Sequence, residues 1–171
     1  KKSLQNEWAC VQRVVGGIGD FFAPLEAEMS MTFLPSLFGE PSIEDAYRRP
    51  LADLPVKHAG LALPNPTATA DSSHLMSTLV CGHLVKALRL DSGVEFSQVD
   101  HSSTRKEVIA ETCDRKTEEN EAKLESILST LDADTARTVE RGKHCGQWLS
   151  VTPSRVNGTE LSAQEFRDNL H

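Results

Sequence analysis

The sequence predicts a mostly α-helical fold: a multi-helix bundle of about six or seven helices with one short extended segment crossing it. Three observations carry that expectation. Apolar residues recur at helical spacing along most of the chain, as in Leu4, Trp8, Val11 and Val15. The stretch from Thr104 to Leu131 mixes Glu, Lys and Arg and contains neither Gly nor Pro, which favours one long solvated helix. Between them, Arg48 to His74 reads RRPLADLPVKHAGLALPNPTATADSSH and holds four of the eight prolines. Its apolar core, Val56 to Leu63, is short and closed by Pro64-Asn65-Pro66, the pattern of an extended segment or edge strand. Pro55 and Pro64 also push Leu54 and Leu63 out of helical geometry.

The first helix is expected from Ser3, an N-cap residue, to Val15, ended by Gly16-Gly17-Ile18-Gly19. That glycine cluster follows a helix and lacks the Lys-Ser/Thr of a phosphate loop, so it reads as a backbone turn. Asp20 caps a second helix, Phe21 to Phe38, with Pro24 in its first turn and Phe22, Leu25, Met29, Phe33, Leu34 and Leu37 facing inward. Pro35 is expected to kink or shorten its end. Ser42 and Asp45 form a capping-box pattern for a short helix that Arg48 and Arg49 would close. Beyond the proline-rich stretch, Thr69 or Asp71 caps a helix from Ser72 to Leu90, with Leu75, Leu79, Leu84, Val85 and Leu88 as its apolar stripe. Phe96 to Ser103 is polar and reads as a loop. The long charged helix follows, with Val108, Ile109 and Cys113 thinly apolar, and Ala122, Leu124, Ile127, Leu128 and Leu131 more firmly so. Asp132 to Asp134 caps a helix from Thr135 to Trp148, in which Ala136, Val139 and Trp148 point inward and Gly142 and Gly146 weaken the element. The tail holds an extended Leu149 to Val151, a turn from Pro153 to Gly158, and a final helix after Ser162. Two helical parts are expected, 1–90 with the proline-rich segment and 91–171 with the charged helix.

Composition bounds the function. The 171 residues carry 18 basic and 25 acidic side chains, a net charge of −7. A chain that lives on phosphates is usually basic, so this balance counts against autonomous high-affinity nucleic-acid binding and leaves room only for a local basic face. The four cysteines, Cys10, Cys81, Cys113 and Cys145, form no CxxC pair, which predicts reduced, mostly buried thiols and an intracellular compartment, nuclear or cytoplasmic. No apolar run reaches the length of a membrane span, and KKSLQNEW lacks a signal-peptide core. The start without Met reads as a piece of a longer chain.

Chemistry-bearing residues are present but not in working patterns. Cys81 and His83 fall on different helical faces, and His144-Cys145 lacks ligand spacing, so no metal site is expected. Asp100-His101-Ser102 supplies the residue types of a hydrolase triad, yet adjacent residues do not converge as a triad must. No cofactor and no small-molecule substrate is expected. An independent enzyme therefore has no support.

The wording of three stretches is distinctive: WACVQRVVGGIGDFFAPLEAEMSMTFLPSLFGE, RRPLADLPVKHAGLALPNPTATADSSH and GQWLSVTPSRVNGTELSAQEFRDNL. They resemble the region downstream of the polymerase core in reverse-transcriptase-like proteins of retrotransposon origin. The likeness is greatest over Leu54 to Thr67 and Trp148 to Leu170, and the acidic helix carries little of it. The resemblance implies a helical thumb-like part (1–90) and a connection part (91–171) that lie against a polymerase palm. Family members bind two metal ions on paired aspartates of that palm; this chain has no adjacent Asp pair, so no catalytic residue carries over. A Cys/His cluster that family members carry further on would lie beyond His171.

The expected function is thus a non-catalytic accessory region of an RNA-directed DNA polymerase-like protein that helps hold primer–template. Its expected partners are the palm of the parent chain and, weakly, RNA or an RNA–DNA hybrid, with no membrane. Candidate phosphate contacts are Arg48, Arg49 and Lys57, with Lys86 and Arg89 as a second patch. The alternative is a helical protein–protein interaction module with no nucleic-acid role, favoured by the acidic balance and the exposed charged helix.

Overall fold

The computed structural model describes residues 2–38, 46–89, 97–146, 149, 151 and 154–168. It is mostly helical, and among the described residues there is no strand. The α-helices are α1 (Lys2–Val14), α2 (Ala23–Glu28), α3 (Leu34–Phe38), α4 (Arg48–Asp53), α5 (Pro66–Leu88), α6 (Gln98–Thr130), α7 (Ala133–Cys145) and α8 (Ala163–Asp168). Contacts group the chain into two compact units, Lys1–Ala23 with Asn65–Glu119, and Pro24–Pro64 with Asn120–His171. Within the first unit α5 packs on α1.

In the first unit the contact between α1 and α5 is anchored by a polar group. Trp8 and Gln12, one helical turn apart, are the buried face of α1, while Val11 and Val15, expected inward, are exposed. Gln12 is almost fully buried because its Nε2 donates to the Pro66 carbonyl at 2.6 Å, and Pro66 is itself buried. Helix α5 begins at Pro66, well before Ser72. Asn65 is its N-cap, with Oδ1 accepting from the N–H groups of Thr67 (2.9 Å) and Ala68 (3.1 Å), and Pro66 fills the first helical position, where a missing N–H costs nothing. The Pro64-Asn65-Pro66 closure is thus a helix start. The glycine cluster does turn the backbone. Gly17 has φ +68°, and a side chain on Gly16 would press on the His74 imidazole at 2.9 Å. Helix α6 also starts early, at Gln98, with Ser97 Oγ accepting from the Asp100 N–H, so 100–102 are helical rather than loop. Cys10, Cys81 and Cys113 are exposed, against the expectation of buried thiols.

The second unit is built around the proline-rich segment. Helices α2 and α3 are joined by a π-helical turn, Met29–Phe33, and Pro35 is the second residue of α3. Pro35 supplies no N–H and its ring would crowd the carbonyl a turn earlier; the wider turn, with Leu34 N–H on the Met29 carbonyl, takes up the misfit. Met29 and Leu34 are buried here. The capping pattern at 42–45 lies outside the described residues, as do Trp148 and the middle of the expected extended piece, Ser150. Arg48 and Arg49 open α4 instead of closing a helix, and Pro50 sits in its first turn.

After α4 the chain doubles back on it. Leu54 and Pro55 are extended, Val56–His58 makes a 3₁₀ turn, and 60–63 return along the end of α4. The Ala52 carbonyl accepts from the N–H of Leu61 (3.3 Å) and of Leu63 (2.9 Å), and the Leu54 carbonyl from Ala62 (2.9 Å). Carbonyls that a helix end leaves unpaired are satisfied by the returning length of backbone. Such a tight return needs Gly60. A Cβ there would overlap the Leu54 carbonyl and stand 2.7 Å from the Leu51 oxygen. Ala59 and Ala62 on either side adopt left-handed backbone, φ +63° and +49°, conformations that cost a non-glycine residue roughly 1–2 kcal/mol each.

That loop delivers Leu54 to the core. Leu54 is fully buried and clusters with Leu124 and Ile127 of α6 and Val139 of α7, with Leu51, Leu128 and Leu131 packed around them. Leu61 and Leu63 are also buried, and Val56 partly so. The glycine inside α7 and the one at its C-cap have a packing reason. A Cβ on Gly142 would touch the Ala59 methyl at 3.1 Å, and one at Gly146 would touch Val56 at 3.1 Å, so their absence lets the 3₁₀ turn approach. Asp132 caps α7, accepting from the N–H groups of Asp134 and Thr135 at 3.1 Å each, and these bonds hold its carboxyl below the usual range. At α8, Ser162 and Glu165 form a reciprocal capping box, 2.8 and 3.2 Å.

Gly60→Ala should lower stability by at least about 3 kcal/mol, since a backbone carbonyl has nowhere to move. Leu54→Ala should cost about 2–5 kcal/mol as a core leucine. Chemical denaturation followed by circular dichroism measures both, and an unshifted midpoint for Gly60→Ala would contradict the doubled-back geometry.

Candidate nucleic-acid interface

The five cations expected to meet phosphate fall in different units. Arg48, Arg49 and Lys57 belong to the unit built on the proline-rich segment, and Lys86 and Arg89 to the unit built on α1 and α5. Lys86 lies in the last turn of α5 and Arg89 is its C-cap residue, where cations complement the partial negative charge of the helix end. Both side chains are exposed.

Arg48 is half-buried, its guanidinium carbon 5.2 Å from the centroid of the Phe38 ring, within cation–π range. Arg49 has a structural task. Its Nε and an Nη donate to the two carboxylate oxygens of Glu26 at 2.6 and 2.7 Å, and its other Nη donates to the Leu63 carbonyl at 2.9 Å. Both side chains of the pair are largely withdrawn from solvent, 17% and 18% exposed. This fork ties α2, α4 and the end of the doubled-back loop together, and only guanidinium offers the planar donor set it needs. The cation also stands in the first turn of α4, where a helix dipole disfavours positive charge; the Glu26 carboxylate compensates it.

Lys57 is exposed on the 3₁₀ turn beside His58, which is buried. His58 Nε2 has no hydrogen-bond partner among the described residues. Burial lowers the His58 pKa most, the charges of Lys57 and Lys143 lower it further, and Glu121 alone opposes them. A second cation, Lys143 of α7, therefore acts at the same turn as Lys57. Nothing in its sequence surroundings marks it: the packing of α7 on the 3₁₀ turn creates the association. Lys123 is paired with Asp53 at 3.2 Å. Among the described residues no three His, Cys, Asp or Glu side chains gather to hold a metal ion, and no helix is long and apolar enough to cross a membrane. Exposed cations such as Lys57 can hold an anion by charge.

Two expectations follow from this geometry. Arg49→Lys should lose about 1–3 kcal/mol of stability although the charge is kept, because ammonium cannot bridge both Glu26 oxygens and the Leu63 carbonyl; the denaturation midpoint measures it. For His58, the folded-state pKa lies below its ordinary value of about 6.5, so the unfolded chain takes up a proton first as the pH falls. Stability should be unaffected above that value and decline from about pH 6.5 down to the lower folded value. Denaturation midpoints across pH should show that decline in the parent and a reduced decline in His58→Gln.

No family model, curated protein or solved structure matches the chain.

Proposed function

We propose that the chain is a non-catalytic helical region of a reverse-transcriptase-like protein, lying downstream of the polymerase core and helping to position primer–template through phosphate contacts. The reading rests on the resemblance of LPVKHAGLALPNPT, Leu54 to Thr67, to that region. The observation that supports it is where this wording falls. It spans the buried leucines, Gly60 and the Asn65-Pro66 helix start, all of them residues that hold shape. What the chain shares with such proteins is thus a scaffold, and a scaffold contributes to polymerisation by placing charges. Lys57, exposed, and Arg48, half-buried, flank that scaffold, with Lys143 at the same turn as Lys57. Arg49 is assigned to the scaffold itself.

Binding of this kind is weak, indifferent to sequence and steeply salt-dependent, because each phosphate contact releases condensed counterions. Fluorescence-anisotropy titration of an RNA–DNA hybrid at several salt concentrations tests it. The double variant Arg48→Gln/Lys57→Gln should keep its helical circular-dichroism signal and flatten the log–log salt slope by about 2, near 0.9 for each contact removed. A slope equal to that of the parent would remove these residues from the interface.

A second reading, a helical protein–protein interaction module, is favoured by one specific observation. Leu75, Leu79, Leu84, Val85 and Leu88, the expected inward stripe of α5, are all exposed.

A further inference from the structure

Among the described residues the buried ones of α5, Pro66 and Ala70, lie near its start, and further along Leu75, Leu79, Leu84, Val85 and Leu88 are exposed. One of its faces is self-complementary. Asp71, Leu75, Leu79, Gly82 and Lys86 recur at successive turns on one side of the helix. Asp71 and Lys86 are exposed at the two ends, and Leu75 and Leu79 are 54% and 52% exposed between them. A Cβ built on Gly82 meets nothing within 4 Å, so this point of the face is a notch open to solvent.

We propose that this face of α5 binds a second copy of the chain, the two α5 helices packing antiparallel about a two-fold axis between Thr78 and Leu79. Reversal about that axis brings residue 71 of one copy opposite residue 86 of the other, and residue 75 opposite residue 82. Each Asp71 carboxylate then meets the Lys86 ammonium of the other copy, twice over. Each Leu75 enters the notch that Gly82 leaves, and the two Leu79 side chains meet near the axis beside Thr78, which is exposed. An interface of this symmetry uses one patch twice, so a patch must complement itself in both charge and shape. A single basic or acidic partner would satisfy one end of the face and oppose the other. The parallel arrangement of two copies would set Asp71 against Asp71 and Lys86 against Lys86, which like charges disfavour. Two such helices meet over about four turns, a short contact that yields a weak, concentration-dependent dimer rather than an obligate one. The inference is independent of nucleic-acid binding.

Sedimentation equilibrium of the full chain from about 10 to 300 μM tests it. The parent should show a reversible monomer–dimer equilibrium. Asp71→Lys alone and Lys86→Asp alone should each weaken the dimer at least tenfold, since each sets like charges opposite one another at both ends. The double variant Asp71→Lys/Lys86→Asp restores opposite charges in the swapped sense, and it should recover the dimer. Gly82→Leu, filling the notch, should abolish it while the helical circular-dichroism signal is kept. A parent that stays monomeric throughout, or a double variant no better than the single ones, would overturn the proposal.

Discussion

Two lengths of backbone can lie in direct contact only where neither carries a side chain between them, and the second unit depends on one such contact. Gly60 rests against the Leu54 carbonyl with no room for a methyl group. Everything nearby follows from that approach. Leu61, Ala62 and Leu63 reach the carbonyls at the end of α4, and the end of the loop offers the Leu63 oxygen to Arg49. Leu54 is turned into the cluster of Leu124, Ile127 and Val139, and Ala59 comes to rest on Gly142. Two alanines accept left-handed backbone on either side of the contact, so the loop stores strain that the buried leucines offset.

Much of this architecture is legible in the sequence. Helical periodicity gives the fold class, the Asp132 cap and the Ser162 helix start, because capping and amphipathicity are local properties. The misreadings share a cause in tertiary structure. Gln12 is polar yet buried, since its partner is the Pro66 carbonyl, 54 residues away in sequence. The same contact turns α1 so that Val11 and Val15 face out. The early start of α5 is available in Asn65-Pro66, a cap followed by a first-turn proline, but two flanking prolines read more simply as a turn. The stripe of α5 fails because periodicity reports an apolar face without reporting what covers it. Gly60, the most constrained residue, carries no local signal apart from being glycine.

Among the candidate cations the same division holds. Residue type and neighbourhood pick out Arg48, Arg49 and Lys57, and charge alone does not separate a side chain that faces solvent from one consumed by the fold. Glu26 makes that distinction, and it comes from a different helix. Lys143 joins Lys57 at the His58 turn only through packing. The arginine fork and Lys123 are both committed to pairs inside the second unit.

The discontinuous make-up of the units bears on how the chain is made. Asp53 and Lys123, paired in the second unit, are 70 residues apart in sequence. At about 5–20 residues per second, synthesis leaves the doubled-back loop without its α6 and α7 partners for roughly 4 to 14 s. Helices as short as α2 to α4 are marginal in isolation, so until α6 and α7 emerge Leu54 lacks the Leu124, Ile127 and Val139 it packs against. The first unit, whose residues end at Glu119, has all of its chain before the second does. Order of emergence thus leaves the core position of Leu54 open until the chain has been made as far as Val139.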